Sequence, residues 1–538
     1  MSNIYLKLIL KEIPRLLGLL DRNSVSPTFG CFDRNYWHYN VSDFPCARFQ
    51  EAVLTLSLLY MLDDKNNPYF NDENVLFWIN GAVKFWCNIQ RKDGSFDEWY
   101  PYEHSFVATA FSTYAISETL LLMGDKIKNY KKVIRCIEKA SDFIIKNVDY
   151  TACNQETGAI IALYNTYLLT SDKKYEEVAF LRLEKLSKMQ SSEGWFPEYG
   201  SADIGYLSLA VDYLCKLHEK SKAPLASEII DKALDFLYYF VHPDGTFGGE
   251  YGSRNTKYVI PSGIEYASSW NEKAKAISLS LRESLEKGKT IGPYNLDDRY
   301  LSYIGYTYIQ ASKYYKEIEL IEREEDFRKN FSESGIFILS NKNFYFVVNL
   351  RKGGVLRLNF KNTDYSLNDS GCLLGIKDKF YTSGWLNPNI SWQEKDGDFL
   401  IETSGLTMSF VKMSLLKNIF LRIFQMFFGN FNSISKAIKS LFRNFLISYK
   451  KESNVKIIRK ISFKEDGIVI EDEIDSPNLI DVLYLGMENP YIFIPSSRYF
   501  QECDLSKYSH KVKVNDKKIK VIRSYDWEGK EKFTFSNC

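Results

Sequence analysis

Three copies of one phrase place acidic and aromatic side chains at similar positions along the first half of the chain. The copies lie at 90–100, 190–200 and 242–252, and each has a turn-forming glycine, an aromatic residue, a Glu and a Tyr. Two carboxylates that face each other across a cleft can hydrolyse a glycosidic bond. The candidate carboxylates are Glu98, Glu198, Glu250 and the nearby Asp203. Their repetition also fits a structural role, because acidic side chains cap helices.

Aromatic and histidine side chains in or near these copies are candidates for contacts with a sugar. Aromatic faces stack on sugar rings, and they also fill protein cores. His104 follows the first copy and could act as a base or hydrogen-bond a substrate, with helix capping as the alternative. The predicted substrate-binding residues are Trp99, Tyr100, Trp195, Tyr199, Glu198, Glu250 and His38.

The elements that position these residues are helical over about the first 325 residues, where apolar residues recur at helical spacing. The glycines of the three copies, at 94, 194 and 245, indicate one helical hairpin about every fifty residues. Hairpins of this kind that close into a ring gather their turns at one mouth. We therefore predict an α/α toroid over 1–325 that binds or processes a glycan.

From about residue 330 the apolar pattern alternates with the period of a β-strand. The clearest runs are 335–339, 344–350, 354–360, 455–463 and 467–474. Helices followed by strands indicate separate packed domains. The predicted fold class is α+β multidomain, with an antiparallel β-sandwich over 326–538.

Residues 403–451 interrupt this second part with eight Lys or Arg and no Asp or Glu. Their many Phe, Leu and Ile residues predict one or two basic amphipathic helices. Such a segment can attach to an anionic membrane surface or to a partner. The alternative is an insertion that packs on the sandwich with its basic face in water.

Composition excludes several classes of protein. The net charge of +1 argues against a general nucleic-acid binder. Nine scattered cysteines, an odd number with no CxxC pair, argue against a disulfide framework and a Cys-based zinc site. The N-terminus does not resemble a secretion signal, so we expect a cytoplasmic protein, peripheral to the membrane if 403–451 docks there. We expect no cofactor, and dependence on a divalent metal is left open.

Several phrases resemble the heparinase II/III-like family of polysaccharide-acting proteins. They are Gly30-Cys-Phe-Asp-Arg-Asn-Tyr-Trp-His-Tyr, Asp43-Phe-Pro-Cys-Ala-Arg-Phe-Gln-Glu, Tyr251-Gly-Ser-Arg-Asn-Thr, and Ser334-Gly-Ile-Phe-Ile with Val347-Val-Asn-Leu-Arg-Lys-Gly-Gly-Val. The resemblance spans nearly the whole chain and implies a toroid followed by a β-sandwich. It also implies elimination at a uronic acid residue of an acidic polysaccharide or oligosaccharide. The family's catalytic histidine in the β-domain has no match, since the only histidine after His242 is His510.

Such an elimination needs a neutralised carboxylate, a base for the C5 proton and an acid for the leaving oxygen. An arginine fork matches a carboxylate in shape and charge. We therefore predict Tyr251 as acid/base, Arg254 and Asn255 at the carboxylate, and His104 as assisting base. The alternatives are a glycoside hydrolase that uses paired carboxylates and a non-enzymatic glycan-binding scaffold in surface polysaccharide assembly.

Overall fold

The computed structural model describes residues 3–319, 321, 323–363, 365–395, 397–408, 414–429, 451–486, 499 and 509–537. Helices dominate its first part and antiparallel strands its second, so the α+β multidomain class is confirmed. The α-helices are α1 Ile4–Leu19, α2 Arg34–Trp37, α3 Ala52–Met61, α4 Glu73–Asn88, α5 Phe106–Met123, α6 Tyr130–Lys146, α7 Cys153–Thr170, α8 Lys173–Met189, α9 Ile204–Ser221, α10 Pro224–Leu237, α11 Pro261–Ala267, α12 Glu272–Glu286, α13 Asp298–Tyr314 and α14 Leu415–Phe428. The strands are β1 Phe327–Phe331, β2 Ile336–Ser340, β3 Phe344–Asn349, β4 Val355–Phe360, β5 Ser366–Asp369, β6 Cys372–Ile376, β7 Lys379–Thr382, β8 Ser391–Lys395, β9 Asp398–Met408, β10 Lys451–Lys464, β11 Gly467–Leu485, β12 His510–Asp526 and β13 Glu531–Asn537.

Six helices of the first part contact one another in a cyclic order. The series runs α3, α5, α7, α9, α11 and α13, and α13 contacts α3 again. The helices α1, α4, α6, α8, α10 and α12 each pack on a member of this series. A helical segment of the described chain, Phe106–Lys126, is long and apolar enough to cross a membrane, but 78% of its apolar window is buried inside the protein.

In the first two copies of the repeated phrase, the glycine and the glutamine pack the turn against a helix of the next hairpin. Gly94 has φ of 93°, and a Cβ there would lie 2.0 Å from the Lys139 carbonyl oxygen of α6. Gly194, with φ of 103°, approaches α10 in the same way. The amide of Gln90 donates to a carbonyl of α6 at 2.8 Å, and Gln190 does the same to α10 at 2.9 Å. Only glycine allows this close approach with positive φ, so each turn is fixed against the next hairpin.

Two antiparallel sheets follow the helices. The first has the order β1-β2-β3-β4-β5, and the second has the order β10-β9-β7-β6-β11-β12-β13, with β8 paired to β9. On one face of the first sheet, Ile338 and Val347 belong to the core of the helical part. On its other face, Phe346 packs in a cluster with Ile470 of the second sheet. The first sheet therefore lies between the helices and the second sheet.

A fully buried ion cluster holds the second sheet to β5. The Arg459 guanidinium bonds Asp472 at 2.7 Å and Asp369 at 2.9 Å, and Arg523 bonds the same two carboxylates. Burial alone would raise the pKa of Asp369, but the two arginines lower it to about 2. Each charge is paired, which is the condition under which ions are tolerated in a protein interior.

The segment predicted as helical from residue 403 begins differently. Strand β9 continues to Met408, and the described helix α14 starts only at Leu415. Residues 430–450 of the predicted segment lie outside the described residues. Residues 403–408 therefore correct the predicted start of the insertion, because they pair as a strand with β10 and β7.

Candidate active site

A cavity of about 150 Å³ lies where the first two repeated turns meet the loop around Arg254 and the ends of the helices. It brings together the predicted site residues Trp99, Glu198, Tyr199 and Arg254, and also Glu98. Its lining residues are Arg48, Glu98, Trp99, Val107, Phe111, Asn154, Gln155, Glu198, Tyr199, Tyr206, Leu209, Tyr213, Arg254, Tyr258, Tyr300, Tyr303 and Ile304.

Glu198 is a buried carboxyl group in the cavity wall, with 4% of its surface exposed. Asn154, in the first turn of α7, donates its Nδ2 to Glu198 Oε2 at 2.7 Å. Burial raises the pKa of Glu198 to about 8, although the Asn154 hydrogen bond and the Arg254 charge act in the opposite direction. At neutral pH the group is therefore mainly protonated, so it can lie beside an acidic ligand without repelling it.

Arg48 places a second positive charge in the wall, in the 3-10 helix Ala47–Glu51. Its Nη1 lies 3.9 Å from Glu98 Oε1, and its Nε donates to Glu51 Oε1 at 2.6 Å. The guanidinium lies 3.8 Å from the centroid of the Tyr303 ring. Burial raises the pKa of Glu51 to about 7 against the charge of Arg48. Glu98 thus lies beside the cation of Arg48, as Glu198 lies near that of Arg254.

The Arg254 loop is fixed from the helical side by Asp203, the N-cap of α9. Asp203 Oδ2 accepts the backbone N–H of Arg254 at 2.8 Å, and Oδ1 accepts that of Tyr206 at 3.2 Å. The Arg254 guanidinium lies 4.2 Å from the centroid of the Tyr199 ring. Asp203, a hydrolase candidate, therefore works as a cap and loop anchor, and it aligns Arg254 with Tyr206.

The β-part fixes the same loop from the other side. The buried ammonium of Lys352 donates to Gly252 O at 2.8 Å, and also to Glu250 O and Asn255 Oδ1. Asn349 Nδ2 donates to Tyr251 O at 2.7 Å. The two phrases 251–256 and 347–355, singled out in the sequence, thus meet in space at the edge of the cavity.

Tyrosines form much of the remaining wall. Tyr213, Tyr258 and Tyr303 are almost completely buried, and burial raises the pKa of each. Tyr206, in the first turn of α9, is only partly buried. Tyr206 and Tyr199 are therefore less buried than the deeper tyrosines of the wall. None of the described residues that line the cavity is a histidine.

Three predicted residues lie next to the cavity but do not line it. Tyr251 has 1% of its surface exposed, and its hydroxyl pairs with His242 Nε2 at 2.8 Å. Burial raises its pKa well above the ordinary value. Asn255 Nδ2 donates to Glu250 Oε2 at 2.6 Å, which joins these two residues to each other. Their placement favours support of the loop over contact with a ligand.

The other predicted residues do not line the cavity either. His104 Nδ1 lies 2.7 Å from Asp93 Oδ2, and its Nε2 lies 2.9 Å from the carbonyl oxygen of Gly429. Burial alone would lower the pKa of His104, but the hydrogen bond and charge of Asp93 raise it. Both neighbours accept hydrogen bonds, so a protonated imidazole fits this position better than a free base. Tyr100 and Trp195 are not lining residues, and His38 is exposed between two aromatic rings.

Arg48, Asn154 and Tyr206 were missed by the sequence argument. Arg48 belongs to the phrase 43–51, whose resemblance to the heparinase II/III-like family marked no individual residue as functional. Tyr206 follows the second repeated turn by a few residues and could have been found from that spacing. Asn154 opens a helix that has no repeated phrase before it, so no signal marked it. Among the described residues no cluster of His, Cys, Asp or Glu is arranged to hold a metal ion.

Solved polysaccharide lyases have a similar architecture. The xanthan lyase of Paenibacillus superposes with a TM-score of 0.54 and 11% identity over 90% of this chain and 46% of that one. The chondroitin AC lyase of Streptomyces coelicolor A3, solved with chondroitin sulphate, gives 0.54 and 9% over 89% and 67%. The chain shares the fold of these polysaccharide lyases. It spans about half of the xanthan lyase chain. No protein-family description and no curated protein matches the sequence.

Proposed function

We propose that this protein is an α/α toroid joined to a β-sandwich that cleaves an acidic glycan by β-elimination at a uronic acid residue. The cyclic contacts of α3, α5, α7, α9, α11 and α13 support the toroid, and the two packed sheets support the sandwich. The observation that carries the activity is one cavity whose wall contains Asn154, Glu198, Tyr206 and Arg254 together.

The carboxylate of the uronic acid would be held by groups that neutralise its charge. Arg254 supplies a positive charge and Asn154 an amide donor, while protonated Glu198 removes a source of repulsion. Neutralisation of this kind makes the C5 proton more acidic and stabilises the charge that develops in the transition state.

Tyr206 is the proposed proton-transfer residue, in place of Tyr251. A base removes the C5 proton, the C4–O bond breaks, and the leaving oxygen takes up a proton as the C4=C5 double bond forms. Tyr206 lines the cavity and is partly exposed, whereas Tyr251 is buried and paired with His242. Trp99 and Tyr199 line the same cavity and are the proposed surfaces for stacking on sugar rings.

Exchange of Asn154 for Asp tests the neutralisation step. The substitution keeps the size of the side chain but places a carboxylate beside the proposed substrate carboxylate. The assay follows the ultraviolet absorbance of unsaturated uronate during incubation with a panel of uronate-containing polysaccharides. We expect the rate of its increase to fall by about a hundredfold or more. The control is Gln155→Glu, the same change of charge on a neighbouring lining residue. An equal effect of both variants would show only sensitivity to charge and would contradict a specific role for Asn154.

A glycoside hydrolase is the second candidate, because the two carboxyl groups of Glu98 and Glu198 line the same cavity. Glu198 is protonated near neutral pH, as a general acid must be, and Glu98 lies beside Arg48. Glu198→Gln separates the two functions, since Gln is neutral and can still accept the Asn154 hydrogen bond. Elimination should survive this change, whereas hydrolysis needs the acidic proton and should be lost. New reducing ends without unsaturated uronate, abolished in this variant, would establish the hydrolase.

A further inference from the structure

Helix α14 turns a broad apolar arc to solvent, and its less exposed side carries Leu421, Arg422, Phe424 and Gln425. Gln425 is the buried residue of this helix, with 3% of its surface exposed. Eight of its ten large apolar side chains are exposed, with exposed fractions from 43% to 78%, whereas Leu421 and Phe424 are half-buried. The eight are Leu415, Leu416, Ile419, Phe420, Ile423, Met426, Phe427 and Phe428. At 3.6 residues per turn, all but the last fall on one continuous arc of about 140°. Gln425 and the half-buried Leu421 lie on the side of the helix opposite that arc.

Contacts with the helical part of the protein hold the helix in this orientation. Arg422 pairs with Asp43 at 3.1 Å, and the Gly429 carbonyl at the end of the helix lies 2.9 Å from His104 Nε2. Gly429 also packs closely against Tyr102, because a Cβ at position 429 would lie 2.5 Å from the Tyr102 side chain. The exposed apolar arc is therefore on a helix that is attached to the helical part through the loop 97–105.

We propose that α14 docks on an anionic membrane surface and inserts this arc into the interface between headgroups and acyl chains. Its charged residues are Lys417 and Arg422, and the stretch 403–451 has eight basic and no acidic residues in a chain of net charge +1. A negatively charged lipid surface complements this composition, and a large apolar arc is what an interfacial helix buries. Fourteen residues rise about 21 Å as a helix, too short to span a bilayer, so α14 lies in the membrane plane.

Docking in this way would bring the cavity close to the membrane. The loop that contacts Gly429 also carries Glu98 and Trp99, which line the cavity. If the proposed function holds, the substrate would then be an acidic glycan held at a membrane surface; this step rests on that function. Vesicle binding can be measured without any glycan, so failure of the docking proposal is distinguishable from failure of the enzymatic one.

The test is sedimentation of the full chain with vesicles of phosphatidylcholine alone or with added phosphatidylglycerol. We expect binding to the anionic vesicles, at least tenfold weaker binding to the neutral ones, and at least a tenfold loss in Leu416→Glu/Phe420→Glu. The matched control is Leu168→Glu/Leu181→Glu, which places the same charges at exposed leucines of α7 and α8 and should bind like the wild type.

Three results would overturn the proposal. The first is no sedimentation with anionic vesicles, and the second is an equal loss of binding in both double variants. The third is a concentration-dependent dimer that is broken by Leu416→Glu/Phe420→Glu while vesicles remain unbound. That result would assign the apolar arc to a second copy of the chain.

Discussion

Replacing Lys352 with Met should loosen the loop that carries Arg254, although Lys352 lies in the β-part. The ammonium group is buried, with 1% of the residue exposed, and it donates to Gly252 O at 2.8 Å, to Glu250 O and to Asn255 Oδ1. A buried acceptor left without its donor costs about 1–3 kcal/mol. Relief of the cost of burying the ammonium offsets part of this. We expect a net loss of about 2–4 kcal/mol in the free energy of unfolding.

The same substitution should weaken binding of an acidic oligosaccharide. A charged hydrogen bond from Arg254 contributes about 1.5–3 kcal/mol, so its displacement lowers affinity by about 10- to 100-fold. The assays are urea denaturation and titration calorimetry, with Lys342→Met, at an exposed position between β2 and β3, as the control. A Lys352→Met protein with the stability and affinity of the control would refute the inference that the β-part positions the cavity loop.

Three further predictions concern the frame around the site. Gly94→Ala should destabilise the helical part in thermal unfolding by more than about 2 kcal/mol, because a Cβ meets the Lys139 carbonyl at 2.0 Å and φ is 93°. Asp369 has its pKa lowered to about 2, so its contribution to stability is present above pH 4 and is lost as the pH falls towards 2. Asp369→Asn should be less stable by about 3–5 kcal/mol at neutral pH and show a flatter acid dependence in denaturation experiments. Against the effect of burial, Asp93 raises the pKa of His104, so the charged imidazole holds Gly429 most strongly at low pH and this hold weakens as the pH rises through the raised pKa. Protease cleavage in α14, measured relative to His104→Phe, should therefore accelerate with pH, and a constant ratio would contradict this role.

The sequence predicted which turns line the cavity better than it predicted which residues there could do chemistry. Glu98, Glu198 and their aromatic neighbours were found because the repeated glycine fixes each turn against the next hairpin. Arg254 was found differently, from the phrase 251–256 and from the match of an arginine fork to a carboxylate. Helices α11 and α12 were not predicted, because the first has only seven residues and the second is largely polar.

Tyr251 shows why proximity in sequence did not assign a role. Gly252 N donates to Gly249 O at 3.0 Å, which closes a turn between them. The turn sends Tyr251 into the core beside His242, whereas Arg254 enters the cavity three residues later. Asn154 comes from a helix start that the repeat does not mark. Such convergence depends on tertiary packing, which a linear pattern does not contain.

The most direct test of the proposed elimination is the ultraviolet absorbance of unsaturated uronate from acidic polysaccharides, measured for the wild type, Tyr206→Phe and Tyr251→Phe. Both variants lose one hydroxyl group, but only Tyr206 lines the cavity. We expect a rise with the wild type and with Tyr251→Phe, and none with Tyr206→Phe. No rise with the wild type on any uronate polysaccharide, or a rise that is lost only in Tyr251→Phe, would contradict it.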